Sequence, residues 1–163
     1  MAQVEGVCVG ASQVGDGVEL ADVDVLIGPR GSAAEAAFAQ CLVNQKAEFS
    51  SVLVRLAPNL MVKPPCVIYN KASLRHGEQT ANFYGPAQRG VARAIADALA
   101  NGTLPSDEAK DLFMCVGVFL HWQASIEAKI EENNYRATQE ALARALCGLP
   151  TVSEVMEKTD RFS

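Results

Sequence analysis

Asp22 and Asp24 stand two apart in the run Glu19-Leu-Ala-Asp-Val-Asp-Val-Leu-Ile-Gly-Pro-Arg-Gly-Ser32, and that spacing puts two acids on one side of a strand. Successive strand side chains face opposite ways, so Leu20, Asp22, Asp24 and Leu26 share one face while Ala21, Val23, Val25 and Ile27 share the other. The all-apolar face belongs in a core. The acids lie roughly 7 Å apart, from a rise of about 3.3 Å per residue, and form either a candidate site or a solvated face. Beyond them, Gly28-Pro-Arg-Gly-Ser32 gathers free backbone N–H groups, a helix start and Arg30, which suits an anion or carboxylate. It lacks the endings of a nucleotide-binding loop, so an ordinary strand-to-helix turn explains it equally, and Arg30 serves a subunit contact as readily.

Other polar residues offer single contacts. Lys71 and Ser73 follow a strand-like Val67-Ile-Tyr-Asn70 and leave the same face, where a cation and a hydroxyl would converge, although a surface lysine satisfies the same pattern. Gln88 carries an amide that donates and accepts at once, as recognition of a heterocycle requires, or it simply decorates a helix. His76 and His121 have no Cys, His or Asp neighbours at metal-ligand spacing, and His121 beside Trp122 reads as packed and hydrogen bonded. No Ser-His-Asp or Cys-His arrangement can be assigned from spacing.

The elements that position these residues alternate between strand and helix, with Gly and Pro at the joints. Residues 4–14 and 20–27 read as a hairpin closed by Gly15-Asp-Gly17. Ser32 with Glu35 predicts a capped helix over 33–43. Strands are expected at 51–57 and 66–74, separated by Pro58-Asn59 and Lys63-Pro64-Pro65. Pro86 at a first helical position, then Val91, Ala94, Ile95, Ala98 and Leu99, predicts a helix ending at Asn101-Gly102. A short capped helix from Pro105 precedes the apolar run 112–120, which has the look of a buried central strand. A helix over 126–145 follows, with Ile130, Ala137, Ala141 and Leu142 inward and Gly148 and Pro150 at its end. The pattern is mixed α/β, and the chain from Thr151 is weakly determined.

At 163 residues the chain is one domain's worth, 49% hydrophobic and 20% charged, which argues against a disordered chain. A net charge of -5 without a dense Lys/Arg run disfavours nucleic acid as a partner. No apolar run reaches membrane-spanning length and no basic n-region with an apolar h-region opens the chain, so a cytoplasmic protein is expected. Cys8, Cys41, Cys66, Cys115 and Cys147 are odd in number and never in Cys-x-x-Cys pairs, which suits reduced, mostly apolar-filling thiols and no metal site.

Several blocks together resemble the formaldehyde-activating enzyme family: Val14-Gly-Asp-Gly17, residues 24–32, Ala57-Pro-Asn-Leu60, Asn70-Lys71, Phe83-Tyr-Gly-Pro-Ala-Gln-Arg-Gly90, Asp107-Glu-Ala109, Val116-Gly-Val-Phe119 with His121-Trp122, and Asn134-Tyr135. The likeness covers roughly residues 6–149. It implies a family domain over 1–150 with a tail over 151–163, and a single-domain mixed α+β fold like the second domain of ribosomal protein S5. It further implies a homopentamer with ligand between subunits, and condensation of formaldehyde with tetrahydromethanopterin, a co-substrate, to the methylene adduct and water in one-carbon metabolism, without a metal. Asp24, Leu53, Lys71 and Gln88 match pterin-contacting positions, and Ser73 replaces a threonine while keeping the hydroxyl.

Asp22 occupies the position where catalysing members carry a histidine acting as proton donor. The carbinolamine formed by pterin nitrogen and formaldehyde must lose its oxygen as water, which takes a proton. A histidine of pKa about 6.5 is roughly one quarter protonated at pH 7, whereas an unperturbed aspartate of pKa about 3.9 is protonated about once in a thousand. Altered or weakened catalysis is therefore expected at Asp22. The alternatives are a non-catalytic pterin-binding carrier or formaldehyde sensor, or a structural subunit of a mixed pentamer with a catalytic relative.

Overall fold

Alternation over residues 21–27 decides which way the first half of the chain faces. A computed structural model describes residues 3–159. Strand β1 (Cys8–Val14) returns through Gly15 and Gly17, both at positive φ, into β2 (Ala21–Pro29), with Val14 opposite Ala21 and Cys8 opposite Ile27. Ala21, Val23, Val25 and Ile27 are buried while Asp22, Asp24 and Leu26 are half-exposed, as the period predicts. Helix α1 (Ala33–Val43) begins at Ser32, whose Oγ accepts from the Ala34 N–H at 3.2 Å. Glu35 turns back onto the Gly31 N–H at 2.6 Å.

The strand expected over 51–57 is two strands, β3 (Ser51–Leu53) and β4 (Arg55–Ala57), and β4 pairs with β5 (Leu60–Met61) in a separate hairpin. The cause lies across the sheet. β3 runs antiparallel to β6 (Cys66–Asn70), with Leu53 opposite Val67. Extending that register would set Arg55 and Leu56 against Pro65 and Pro64, which have no N–H to give. The buried Val54 makes the switch: its N–H donates to Cys66 O at 2.9 Å while its carbonyl accepts from Val62 N at 3.2 Å. The strand expected over 66–74 likewise ends at Asn70.

The helix expected to open at Pro86 starts earlier. Helix α2 (Gly77–Asn82) is capped by His76, whose ring accepts from the Gln79 N–H, and it runs through a π-helical turn (Phe83–Ala87) into α3 (Gln88–Ala100). A wide turn, in which the Gln88 N–H reaches Phe83 O, accommodates the missing donor of Pro86 inside the helix. Gln88 is thus mid-helix rather than in a first turn. The short helix expected from Pro105 is instead a turn followed by one 3₁₀ turn (Ala109–Asp111), set between the buried Leu104 and Leu112. Strand β7 (Leu112–Phe119) is central, as expected. Helix α4 (Glu127–Cys147) ends at Gly148 with φ 66°, and α5 (Val152–Thr159), unforeseen in the sequence, buries none of its residues.

The five-stranded sheet has the order β1-β2-β7-β6-β3, antiparallel except between β6 and β7, which the α2–α3 crossover joins. Helices α3 and α4 cover one face over Val23, Val25, Ile68, Val116 and Val118, a single core. Helix α1 covers the other face only at the Gly28 end, where Phe38 packs on Phe113 at 5.2 Å between ring centroids. The far end of that face, with Val9, Ala11 and Gln13 of β1 exposed beside Asp22 and Asp24, has no cover.

The α3–α4 contact depends on Gly90, where an added Cβ would meet Glu131 O and stand 2.9 Å from Tyr135 N. Backbone cannot yield as a flexible side chain can. Gly90→Ala is expected to destabilise the fold by about 1–3 kcal/mol, as overpacking does, read as a lower urea midpoint.

Candidate active site

The uncovered sheet face carries a bridged pair of acids. Phe119 stands opposite Asp22 and Gly117 opposite Asp24 on β7, and Tyr69 of β6 lies level with Gly117. One residue past β6, the Lys71 N–H donates to Val118 O at 2.9 Å, which holds its backbone beside β7. The side chain then crosses to β2: Nζ is 3.2 Å from Asp22 Oδ1 and 2.9 Å from Asp24 Oδ2. The Lys71 side chain is 23% exposed, so it is neither a free surface lysine nor a buried one. Partly exposed ion pairs contribute little stability, about 0–1 kcal/mol. What the bridge supplies is orientation of three charged groups on an open face.

Two neighbours fix that geometry. The buried Asn70 donates to Glu48 O at 2.8 Å and Ala72 O at 2.7 Å and accepts from Ser50 N at 2.8 Å, clamping the loop on either side of Lys71. Gly117 has no Cβ, which would stand 2.7 Å from the Tyr69 ring, so the ring lies flat across β7 toward Asp24. Burial, and then the Asp24 charge, pushes the Tyr69 phenol up and keeps its proton.

Ser73 does not join Lys71. It lines a cleft of about 230 Å³ with Arg75, Phe119, His121 and Trp122, and its Oγ accepts from Arg75 Nε at 3.2 Å. Phe119 connects this cleft to Asp22, its partner across the sheet. His121 stacks on Trp122 at 5.8 Å and its Nδ1 accepts from the Gln123 N–H at 3.0 Å, so the ring is packed and hydrogen bonded as expected. His76 uses both nitrogens structurally, at Gln79 N and at Trp122 O, 2.6 Å away. Tyr69 and Arg75 escaped sequence reasoning, and Phe119 and Trp122 entered it only within the resemblance blocks, because the strand register sets Tyr69 and Phe119 beside the acids and the fold alone gathers Arg75 and Trp122 at the adjoining cleft.

Leu53 and Gln88 lie elsewhere. Gln88 Oε1 accepts from the Arg55 N–H at 2.6 Å, which ties it to the corner after Leu53. Leu53 is level with Val67, Cys115 and Leu26 across three strand spacings. That places it roughly 15–20 Å from Asp22 and Asp24 by strand geometry. One chain therefore brings together Asp22, Asp24 and Lys71, with Ser73 adjoining, and separately Leu53 with Gln88.

The Gly28–Ser32 turn proves to be the ordinary alternative, since the chain's own Glu35 occupies the Gly31 N–H. Arg30 packs over Phe113, 5.2 Å from ring centroid, and pairs with Asp111 at 3.6 Å. All five cysteines are free. Burial pushes the Cys41 and Cys66 thiols up and Cys115 up to about 12, which leaves them unreactive, whereas Cys147 is exposed. Among the described residues no group of three or more His, Cys, Asp or Glu could hold a metal ion.

A mixed α/β domain with a carboxylate–lysine–carboxylate bridge on an open sheet face has the makings of a small-molecule site. The formaldehyde-activating enzyme family model matches residues 9–163. The 5,6,7,8-tetrahydromethanopterin hydro-lyase of Methanosarcina barkeri is 43% identical over 152 residues, covering 93% of this chain and 85% of that protein. The bifunctional enzyme Fae/Hps of Archaeoglobus fulgidus is 39% identical and that of Methanosarcina acetivorans 38%, each over 94% of this chain but 39% of the longer protein. The chain belongs to the formaldehyde-activating enzyme family.

Replacing Asn70 by Ala leaves Ser50 N, Glu48 O and Ala72 O without their partner. Asn70→Ala should cost about 3 kcal/mol, the scale of orphaned buried groups, and hydrogen exchange should show the Ser50 amide losing its protection.

Proposed function

We propose that this chain condenses formaldehyde with tetrahydromethanopterin to give the methylene derivative and water, as the name of its hydro-lyase relative describes. The observation that carries this reading is the Lys71 bridge, which presents Asp24 and Asp22 as acceptors and a free ammonium N–H as donor on one exposed face. A pterin nitrogen adds to the formaldehyde carbon and the aldehyde oxygen gains a proton, giving a carbinolamine. The C–O bond then breaks, the oxygen leaves as water, and a second pterin nitrogen closes on the iminium carbon and loses its proton. Asp24 offers an acceptor to a pterin N–H and Lys71 a donor to the oxygen that comes from the aldehyde, while Gln88 offers both at once, Ser73 a hydroxyl and Leu53 an apolar contact. Holding the two reactants together supplies much of the acceleration.

The separation of Leu53 and Gln88 from Asp22, Asp24 and Lys71 supports a site completed by a second copy, one group facing the other across an interface. We assign the homopentamer, the topology like that of ribosomal protein S5's second domain, and the 1–150 domain with its 151–163 tail on the family resemblance. No helix among the described residues is long and apolar enough to cross a membrane, and the reaction fits the cytoplasm.

Asp22 favours a second reading. A carboxylate in the family's histidine position, engaged by Lys71, suits a carrier or sensor that holds pterin without turnover, or a structural subunit of a mixed pentamer.

Formation of methylene-tetrahydromethanopterin should be saturable in protein and faster than the spontaneous reaction. A rate equal to the no-protein control, with calorimetric pterin binding retained, moves the protein to the carrier reading. Asp22→His should raise the rate, because it adds a group titrating near neutrality. Native mass spectrometry should show five copies, and a single-copy species that still turns over would overturn the shared site. Mixed assemblies with a co-expressed catalytic relative would support the structural-subunit reading.

A further inference from the structure

We propose that the Lys71 ammonium gives the departing oxygen its proton. The inference rests on the condensation reading above and names the acid that the reaction needs. Expulsion of the carbinolamine oxygen requires a donor within hydrogen-bond reach, since hydroxide is a far poorer leaving group than water.

The groups on the open face are few. Asp22 and Asp24 are both turned onto the ammonium, 3.2 and 2.9 Å from it. The Tyr69 ring lies against the Gly117 backbone and keeps its proton through burial and the Asp24 charge. His121 stands beyond the Phe119 ring, 6.4 Å away between ring centroids, in the adjoining cleft rather than on the acids. Lys71 carries three N–H donors on Nζ, of which Asp22 takes one at 3.2 Å, while Asp24 Oδ2 stands 2.9 Å away as an ion pair. With two acids in contact, three donors leave at least one N–H for a substrate oxygen. Two carboxylates from one strand therefore hold a single ammonium so that its remaining proton is presented outward, with the stem half-shielded.

The step balances within the reactants. The Nζ–H bond breaks and its proton joins the carbinolamine oxygen. The C–O bond breaks with its electron pair on that oxygen, and water leaves. The pterin nitrogen's lone pair forms C=N⁺. Lys71, now an amine between two carboxylates, takes the proton that the second pterin nitrogen releases as it closes the ring. No oxidant, reductant or further reactant is consumed.

Lys71→Arg decides the matter, because arginine keeps the positive charge and can pair both acids but does not give up its proton in proteins. The expected result is tetrahydromethanopterin affinity within a few-fold of wild type and a kcat lower by about a hundredfold or more, the scale of a lost general acid. In Lys71→Ala, added ethylammonium should restore rate saturably while guanidinium should not, a difference that a merely structural charge would not produce. In an Asp22→His background the Lys71→Arg change should cost far less, since imidazole then offers a second proton source. A Lys71→Arg protein with wild-type kcat, or rescue of Lys71→Ala by guanidinium as well as by ethylammonium, overturns the assignment. A rate that survives Lys71→Arg and falls in His121→Gln also overturns it, in favour of His121. The wild-type rate is read first: no acceleration over buffer removes the condensation reading itself, whereas acceleration that is indifferent to Lys71 removes only this one.

Discussion

Strand β2 can face only two ways, and everything at the site follows from which way it faces. With Ala21, Val23, Val25 and Ile27 in the core, Asp22 and Asp24 are fixed on the opposite side. A one-residue slip would bury both carboxylates and expose four apolar side chains, a penalty of several kcal/mol for each buried charge. The pairing of β2 with β7, and of β7 with β6, then sets the distance across which a cation must reach. Lys71, tied to Val118 O immediately after β6, is the residue at that distance. Its bridge is thus a product of sheet register, which the core enforces, rather than of any strength in the ion pairs themselves.

Features decided locally were legible in the sequence. The faces of β2, the cap at Ser32, the central position of β7 and the span of α4 rest on periodicity and on nearby Gly, Pro and Ser residues. Features decided across the sheet were not. Nothing within 51–57 announces the break at Val54, because the residues that force it, Pro64 and Pro65, act from the neighbouring strand. The helix start at Gly77 depends on a histidine cap and on a π-helical turn that makes room for Pro86, and proline at 86 reads as a beginning when seen alone. The site divides in the same way: Asp22 and Asp24 were visible as a pair, but whether Lys71 was a solvated lysine or their bridge depended on a contact 49 residues apart in sequence. Leu53 and Gln88 carry no chemical signature of their own and entered through family resemblance.

The proposed shared site would account for the unfinished surface of one chain. The sheet face beyond α1 leaves Val9 63% exposed alongside the charged bridge, and Trp122 52% exposed at the adjoining cleft. A lone sheet with such a face is poorly defended against water and against other chains. Two groups of residues that share ligand chemistry yet sit far apart on one chain make sense if copies of the chain are arranged so that the far group of one meets the near group of the next. The Asn70 clamp beside Lys71 and the Gln88 bond to the Arg55 N–H fix each group within its own chain, so that in the proposed assembly copies would have only to juxtapose them.

Charge bookkeeping at the bridge bears on what aspartate does in the family's histidine position. A histidine beside Asp24 and Lys71 would, in its neutral form, give a group with no net charge and, in its protonated form, a proton to supply. Asp22 gives the same three residues one negative charge in excess. Once the C–O bond of a carbinolamine breaks, the pterin nitrogen and the former aldehyde carbon share one positive charge. An excess negative charge fixed on a rigid strand is better matched to that cation than to the neutral species before it, and a covering ligand or subunit that excludes water strengthens the attraction by lowering the effective dielectric. In the proposed reaction, an exchange of histidine for aspartate would thus trade a proton source for stabilisation of the cation, and the trade would be workable only with another group delivering the proton, the role proposed for the ammonium between the two acids.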